Sequence, residues 1–237
     1  GVSESTISRF VKKMGYSNFS SLKEDLARQT LEDFSTTARL AESSDHLDSG
    51  KALSVMARTD AANISRLSSQ VTSKAFDQAV QAMSAARTIY VLGLRSSYAL
   101  ALYLAFDLRF ILNNVQLLKP GIGDLPEQVM DAGQDDVLVA LSFKRFTRET
   151  VSITRAMKPR VGRVIALTSS DLSPLASLAD TVLICSTDVP SFFESFTAPM
   201  SLINGLLASI ALTRDQEAFP ALNRLEAVLE EFKTYIP

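Results

Sequence analysis

Two basic, hydroxyl-rich segments of this 237-residue chain carry the side chains best suited to binding a small anion. Gly93-Leu-Arg-Ser-Ser97 follows a short β-rich run, and its arginine and serines precede an apolar helical segment. Ser142-Phe-Lys-Arg-Phe-Thr-Arg-Glu149 follows a second apolar run and has the same character. Backbone N–H groups at a helix N-terminus attract anions, and guanidinium groups bind carboxylates or phosphates in a bidentate manner. The two segments therefore predict a pocket for a polar, anionic ligand.

The predicted ligand-binding residues all come from these two segments. They are Gly93, which permits a tight turn, and Arg95, Ser96, Ser97, Ser142, Lys144, Arg145, Thr147 and Glu149. Hydroxyl side chains at loop ends also cap helices, and the cations are alternatively solvated or paired with acidic groups. Similar polar segments at residues 168–174 and 188–195 follow two more predicted strands. Four such loops on one sheet favour a ligand pocket over capping alone.

The elements that must position these loops have the order of an α/β fold. Short apolar runs predict strands at residues 88–93, 115–118, 136–141, 163–168 and 181–185. Helices are predicted near residues 50–69, 73–86, 97–112, 124–131, 148–158, 173–179, 196–213 and 220–236. Because the strands are continuous apolar runs, they indicate a parallel sheet covered by helices on both faces. Ligands bind such sheets beyond the carboxyl ends of the strands, where the four loops lie.

The first residues of the chain have the character of a DNA-recognition helix spanning residues 4–14. The predicted DNA-contacting residues are Ser3, Ser5, Thr6, Ser8, Arg9, Lys12 and Lys13. Small polar side chains allow a close approach to bases, and lysines suit phosphates. The apolar residues Val2, Ile7, Phe10, Val11 and Met14 form a stripe behind this polar face. Gly15 is placed to end the helix.

A second helix is predicted at about residues 20–41. Ser20 or Ser21 is expected to cap it, with Glu24 placed to return a hydrogen bond. The polar stretch at residues 42–50 is predicted to interrupt the helical pattern and to join two modules.

Composition and charge restrict the class of protein. A net charge of −2 argues against nucleic-acid binding by the whole chain, but residues 1–28 hold five basic against three acidic residues. A small DNA-facing module on an acidic body fits this distribution. No apolar run reaches the ~18 residues that span a bilayer, and we find no signal peptide. We therefore expect a cytoplasmic protein without a membrane partner, and we expect Cys185 to be a core residue rather than a nucleophile.

The order of these parts resembles the RpiR-type bacterial transcriptional regulators, which join a helix-turn-helix domain to a sugar isomerase (SIS) domain. The SIS part of the resemblance lies in the strand–Gly–Ser–helix unit, in Ser142 with Thr147 and Glu149, and in Leu172-Ser-Pro-Leu-Ala-Ser-Leu-Ala-Asp180. The helix-turn-helix part lies in Val2-Ser-Glu-Ser-Thr-Ile-Ser-Arg-Phe and Met14-Gly-Tyr-Ser-Asn-Phe-Ser-Ser-Leu-Lys23. The resemblance covers nearly the whole chain.

The resemblance implies an αβα sandwich with a partial, all-α helix-turn-helix segment at its N-terminus. Residues 1–42 correspond to the C-terminal part of the DNA-binding domain with a linker helix, and residues 43–237 to the SIS-type sensor. It also implies operator DNA, a phosphosugar-like effector and a homodimer or homotetramer. Members have further helices before the recognition helix, so we expect the chain as given not to bind an operator alone.

The predicted pocket departs from the family pattern at three positions. Where the family has Ser-x-Ser-Gly-x-Thr-x-Glu, this chain has Lys144 and Arg145 in place of the second serine and the glycine. Arg95 likewise stands where a second glycine is usual. Replacing glycine removes a backbone cradle for phosphate but supplies guanidinium groups. We therefore predict an anionic effector held by side-chain charge, a sugar phosphate or a sugar acid.

The alternative is a sugar-phosphate isomerase, or a sugar-phosphate-binding protein without catalysis. Isomerisation needs a base, for which Glu149 or Glu194 is available. The lone histidine, His46, lies in the predicted junction and is expected to be exposed. Since no spacing of Cys, His and Asp suits a metal and no ATP-binding loop is present, we predict no enzyme activity, no cofactor and no metal site.

Two apolar groups leave alternatives open. The cluster of Phe192, Phe193 and Phe196 either covers the sheet, which we favour, or forms a pocket lid. The C-terminal stripe of Leu222, Leu225, Leu229, Phe232 and Ile236 either packs within the chain or forms an oligomer interface.

Overall fold

The computed structural model describes residues 4–19, 21–22 and 35–236. Its helices are α1 Glu4–Lys13, α2 Thr36–His46, α3 Ala52–Gln70, α4 Ser73–Ala85, α5 Ser97–Ile111, α6 Leu125–Gln128, α7 Arg148–Met157, α8 Thr197–Thr213 and α9 Asp215–Glu231, with short 3₁₀ turns at Ser49–Lys51 and Ala176–Leu178. Its strands are β1 Ile89–Gly93, β2 Val115–Leu117, β3 Val137–Leu141, β4 Arg163–Thr168 and β5 Thr181–Ile184.

The five strands form one parallel sheet in the order β2-β1-β3-β4-β5. Gly93 at the end of β1 lies opposite Leu141 at the end of β3, and Leu141 lies opposite Leu167 of β4. The loops that leave these strands therefore start side by side at one edge of the sheet. The predicted α/β class, with a parallel sheet between helices, is confirmed.

Side chains alternate between two cores, one on each face of the sheet. In β1, Ile89 and Val91 belong to one core, and Tyr90 and Leu92 belong to the other. Helices α4, α5 and α8 bury their apolar faces in the first core, and α7 buries Ile153 and Met157 in the second. This burial on both faces explains the unbroken apolar runs of the strands, because neither face is left to solvent.

The chain divides into two compact units. The first comprises Gly1–Met56 together with Val189–Phe193, and the second comprises Ala57–Asp188 and Glu194–Pro237. Within the first unit, Arg39 of α2 donates from Nη2 to the carbonyl O of Phe193 at 2.6 Å. The predicted domain division after residue 42 stays a prediction.

Helix α1 ends as the sequence predicts. Gly15 has a φ of +89°, its N–H donates to the carbonyl of Lys12, and the N–H of Tyr16 donates to the carbonyl of Val11. This pair of hydrogen bonds is the Schellman arrangement, which glycine adopts without steric cost.

The helical segments that follow begin and end at other residues than we predicted. Asn18 caps the turn that begins at Phe19, since its side-chain O accepts from the N–H of Ser21 at 2.9 Å. The proposed caps Ser20 and Glu24, like residues 23–34 of that helix, lie outside the described residues. Ser35 is extended and caps α2, so helix α2 is a separate element.

Two further boundaries correct the sequence prediction. The polar stretch predicted to be a junction is helical as far as His46, and in it the Ser43 hydroxyl donates to the carbonyl of Leu40. Such back-bonding lets polar residues continue a helix. The last helix begins at Asp215 rather than residue 220, since the N–H of Ala218 already donates to the carbonyl of Arg214 at 2.8 Å, and it ends at Glu231. Pro220 lies inside the helix, where it removes one N–H donor.

Candidate functional site

The carboxyl ends of β1 and β3 form the point where the sheet changes direction. From β1 the chain crosses to β2 at one side, and β3 then adds to the other side of β1. Two loops diverge at such a point and leave a crevice between them. The loops here are residues 94–96 and residues 142–147, which contain or adjoin eight of the nine predicted ligand-binding residues, and Glu149 follows in the first turn of α7.

Gly93 is required by close packing rather than by a turn. A Cβ atom at this position would lie 2.6 Å from the carbonyl O of Ser97 and 2.9 Å from the Cβ of Ala101. Both partners belong to α5, so the absence of a side chain lets this helix start directly against the end of β1. The tight turn that we assigned to Gly93 is instead made two residues later.

Arg95 and Arg145 both adopt left-handed backbone conformations. Their φ angles are +54° and +57°, in a region that favours glycine and costs an ordinary residue about 1–2 kcal/mol. These are the two positions at which the resemblance to RpiR-type regulators led us to expect glycine. Both side chains are exposed at the strand ends. The chain therefore keeps a glycine-type backbone in each loop and adds a guanidinium group to it.

The loop after β3 is anchored by its first two residues. Ser142 is buried, and its Oγ accepts from the N–H of Thr147 at 3.3 Å, which folds the loop back on itself. Phe143 is 2% exposed, and its ring lies 5.5 Å from the ring of Phe196 at the start of α8. Lys144 and Arg145 thus project from a loop whose base is fixed.

Two of the predicted hydroxyls occupy cap positions without capping. Ser96 precedes α5 and Thr147 precedes α7, but neither side chain accepts a capping hydrogen bond among the described residues. Ser173, by contrast, accepts from the N–H of Ala176 at 3.1 Å and acts as a cap. Because an uncapped hydroxyl keeps its lone pairs for other partners, Ser96 and Thr147 retain the hydrogen-bonding capacity that a polar ligand needs.

The sequence did not reveal the residues that face the β3 loop from across the sheet. Lys144 forms an ion pair with Asp188, which follows β5, and both side chains are partly exposed. Asn63 of α3 donates from Nδ2 to the carbonyl O of Asp188 at 2.8 Å. Asn63 is 1% exposed, so its amide holds this backbone from a buried position. One alternative that the sequence left open, pairing of the cations with acidic groups, is therefore realised for Lys144.

The loop of residues 188–194 is closed at its neck. The N–H of Ser195 donates to the carbonyl O of Thr187 at 3.1 Å, and the Thr187 hydroxyl donates to Glu194 at 3.3 Å. At its tip Phe192 and Phe193 lie edge to face with centroids 5.3 Å apart, and both rings are nearly half exposed. Of the predicted aromatic cluster, Phe196 is the ring that packs against the core.

The candidate nucleophile and base differ in their surroundings. Cys185 is fully buried, and desolvation raises the pKa of its thiol to about 12, as expected of a core residue. Glu149 is exposed in the first turn of α7, and the Glu194 carboxylate is held by Thr187. The described residues contain no group of His, Cys, Asp and Glu that could hold a metal ion.

In α1 the predicted DNA-contacting side chains that are described lie on the surface. Thr6, Ser8, Arg9, Lys12 and Lys13 are exposed, and Ser3 lies outside the described residues. Of the apolar stripe, Val11 is 1% exposed, whereas Phe10 and Met14 are 59% and 51% exposed. Ser5 also lies in α1.

A groove of about 570 Å³ beside α7 offers a different chemistry from the strand-end loops. Its lining is mainly apolar and includes Leu125, Val129, Met130 and Ile153. A small, highly charged ligand would gain little there, so we place the candidate site at the strand ends. None of the helices within the described ranges is both long and apolar enough to cross a membrane.

Comparison with protein families decides the class of this fold. The family model described as the SIS domain matches residues 82–209, which is more than half of the chain and includes every strand-end loop described above. This chain belongs to the SIS domain family.

Two curated relatives extend the similarity beyond the SIS domain. The chain is 26% identical over 235 residues to the HTH-type transcriptional regulator HexR of Pseudomonas aeruginosa, covering 96% of this chain and 80% of that protein. It is 27% identical over 239 residues to HexR of Escherichia coli, covering 97% and 80%. Both relatives thus align with the N-terminal segment as well as with the SIS domain.

Solved structures agree with this assignment. The sugar isomerase domain of an RpiR transcription factor from Sphaerobacter thermophilus has a TM-score of 0.69 and 27% identity, and the match covers 74% of this chain and 97% of that one. NanR of Vibrio vulnificus, solved with ManNAc-6P, has a TM-score of 0.68 over 98% of this chain and 82% of that one, and at 19% identity it shows a shared fold. The resemblance to RpiR-type regulators, predicted from the sequence, is confirmed.

Proposed function

We propose that this SIS domain senses an anionic sugar derivative and is the effector-binding part of a transcriptional regulator. The observation that carries the proposal is the pair of arginines, Arg95 and Arg145, in left-handed conformations at the crevice between β1 and β3. A strained backbone that persists in two loops of one crevice points to a functional use of both side chains.

The chemistry of the crevice favours a ligand with at least one carboxylate or phosphate group. Two guanidinium groups and the Lys144 ammonium supply charge-assisted hydrogen bonds, which are about twice as strong as neutral ones. Ser96 and Thr147 supply hydroxyls for the polar body of a sugar. We therefore propose a sugar phosphate or a sugar acid as the effector, with Gly93, Ser97, Ser142 and Glu149 shaping the site.

Isothermal titration calorimetry with a panel of probes tests this proposal. We expect glucose 6-phosphate, gluconate or 6-phosphogluconate to bind, and we expect neutral glucose not to bind. The affinity should fall with rising salt, since exposed charges are screened. Binding of the neutral sugar alone would overturn the proposed ligand class.

We also propose that the intact protein binds operator DNA through α1. The exposed cations Arg9, Lys12 and Lys13 suit phosphates, and the HexR relatives are HTH-type regulators. A gel shift with DNA from upstream of the gene measures this, with Lys12→Gln/Lys13→Gln expected to weaken binding and to flatten its salt dependence. Lys74→Gln/Lys158→Gln removes two cations from the second unit and is the matched control.

We propose that the effector is bound without being converted. Support comes from the relatives, which are regulators, and from the position of the carboxylates, since Glu149 is exposed and Glu194 is engaged by Thr187. An assay for aldose–ketose conversion of the bound sugar phosphate tests it. Turnover that disappears in Glu194→Gln would instead favour an isomerase.

Assembly into a homodimer or homotetramer is part of the proposal. Helix α9 exposes Phe219, Leu222 and Val228, and Phe232 directly after it is also exposed, which is unusual for a surface that stays in water. Size-exclusion chromatography with light scattering measures the mass of the assembly. A monomer over the whole concentration range would remove this part of the proposal.

A further inference from the structure

The Lys144–Asp188 ion pair places an internal carboxylate on a cation that the proposed effector also needs. Lys144 follows β3 and Asp188 follows β5, so the pair reaches across the end of β4. The two side chains are 36% and 59% exposed. Exposed pairs of this kind are weak and exchange readily with anions from solution. A ligand carboxylate or phosphate can therefore take the place of Asp188.

Asp188 itself is held from behind. Its carbonyl O accepts from the buried Asn63 amide at 2.8 Å, and its N–H donates to the Ser186 hydroxyl at 3.4 Å. The Ser186 hydroxyl also donates to Oδ2 of Asp188 at 3.4 Å, and Oδ1 is the oxygen that meets Lys144. The backbone at Asp188 is thus fixed to α3, while its carboxylate is shared between Lys144 and Ser186. Loss of the Lys144 contact therefore removes one of the two side-chain contacts that hold the first residue of the loop.

The segment that follows Asp188 is a short loop, and its neck and its tip are grouped with different compact units. Its neck is closed by Thr187 and Ser195, which belong to the same compact unit as the sheet. Its tip, Val189–Phe193, belongs by its contacts to the first unit, in which Arg39 holds the carbonyl of Phe193. The ion pair lies at the start of this loop, so loss of the pair acts first on the loop of residues 188–194.

We propose that Asp188 is a built-in competitor for the anionic effector, and that its release from Lys144 changes the loop of residues 188–194. The inference rests on the proposed function, since it requires an anionic ligand at Lys144. It makes Asp188 a specificity-determining residue: a ligand must carry an anion able to displace a carboxylate. It also assigns the loop of residues 188–194 as the segment that responds to occupancy of the site.

The first test needs no ligand. Hydrogen–deuterium exchange of the amides at residues 189–195 is compared in the wild type, Lys144→Gln, Asp188→Asn and the double variant. Because either single change breaks the same pair, each should raise exchange about two- to fivefold, and the double variant should add nothing further. Asp171→Asn removes an exposed carboxylate after β4 and should leave the exchange unchanged. Unchanged exchange in both single variants would overturn the inference.

The second test uses 6-phosphogluconate, glucose 6-phosphate and inorganic phosphate as probes in the full chain. Removing the competitor should tighten binding of a probe about two- to fivefold in Asp188→Asn, while Lys144→Gln should weaken it. Equal affinity of wild type and Asp188→Asn, with binding still dependent on Lys144, would overturn the inference and leave the proposed function standing. A wild type that binds no anionic probe would overturn both.

Discussion

The two ends of the parallel sheet each carry an ion pair, and the pairs are built for different purposes. At the amino end, Arg87 donates to both carboxylate oxygens of Asp136 at 3.0 and 2.6 Å, and Asp136 is 1% exposed. At the carboxyl end, Lys144 meets Asp188 through one oxygen, and both side chains are partly exposed. The first pair is bidentate and joins a buried carboxylate to a half-exposed arginine, whereas the second is made through one oxygen between two partly exposed side chains.

The difference between the two pairs indicates that the carboxyl end of the sheet is the end whose contacts change. Asp136 also accepts from the N–H of Gly133 at 2.7 Å, and it lies at the start of β3 as Arg87 lies before β1. The pair thus locks the two central strands together at a point where no loop needs to move. At the opposite end the same two strands lead into the strained loops of Arg95 and Arg145. The Arg87–Asp136 pair thus fixes the two strands from which the charged loops at the opposite end of the sheet project.

The largest effect is expected from breaking the locked end. Asp136→Ala leaves Arg87 with only the carbonyl of Asp131 and leaves the N–H of Gly133 without its carboxylate acceptor, so it should lower the free energy of unfolding by about 3 kcal/mol. Chemical denaturation measures this loss. Affinity for an anionic probe, measured where the variant is still folded, should stay within about twofold, because the site lies at the other end. A large loss of affinity in folded Asp136→Ala would contradict the view that this pair stabilises the fold without affecting the binding site.

The same pair gives a pH dependence with a defined sign. Burial raises the pKa of Asp136, but hydrogen bonds from Arg87 and Gly133 outweigh this and bring the pKa below its usual value. A carboxyl whose pKa is lower in the folded state stabilises the fold above its unfolded-state pKa of about 4, and this contribution is lost as the pH falls through the folded-state value. Below pH 4 the free energy of unfolding should therefore fall more steeply with decreasing pH in the wild type than in Asp136→Ala. Parallel curves would contradict the assignment.

A substitution at the carboxyl end of the sheet should lower the stability less than Asp136→Ala does, and should lower the affinity for the probes more. Gly93→Ala forces a Cβ against the backbone of α5 and should cost about 2 kcal/mol. Because the shift moves Arg95 and Ser96, affinity for the probes should fall as well. Gly121→Ala is the matched control, since a Cβ there would meet only one atom at 4.0 Å. If Gly93→Ala lost stability but kept full affinity, the crevice would not be the site.

The smallest effect on stability should have the opposite sign. Arg145→Gly relieves a left-handed arginine and should raise the free energy of unfolding by about 1 kcal/mol. Arg155→Gly, in the helical backbone of α7, should instead lower it by about 0.5–1 kcal/mol. Chemical denaturation of both variants checks the contrast. A loss of stability in Arg145→Gly would mean that its side chain supports the fold rather than a ligand.

Much of the frame of the site could be predicted from the sequence. The five strands lie within one or two residues of the predicted apolar runs, because burial on both faces leaves an unmistakable pattern. The end of α1 at Gly15 could also be predicted from the sequence. The start of the last helix at Asp215 could not be predicted, because proline is typical of the first helical position, whereas Pro220 lies inside this helix.

The partners within the site could not be predicted, for a physical reason. Lys144 and Asp188 are 44 residues apart, and Asn63 and Asp188 are 125 residues apart. Their meeting depends on strand order and on where α3 lies against the sheet, which local patterns do not encode. The backbone at Arg95 and Arg145 is similar, because arginine gives no local signal for a positive φ.

We propose that Arg95 and Arg145 bind the anionic ligand, and that their left-handed backbone conformations lower the stability of the fold. The most direct measurement is calorimetric titration of wild type and Arg95→Gly/Arg145→Gly with the anionic probe that binds best, together with their unfolding free energies. We expect an affinity at least about tenfold lower in the variant, combined with a higher free energy of unfolding. Undiminished affinity in the more stable variant would contradict it.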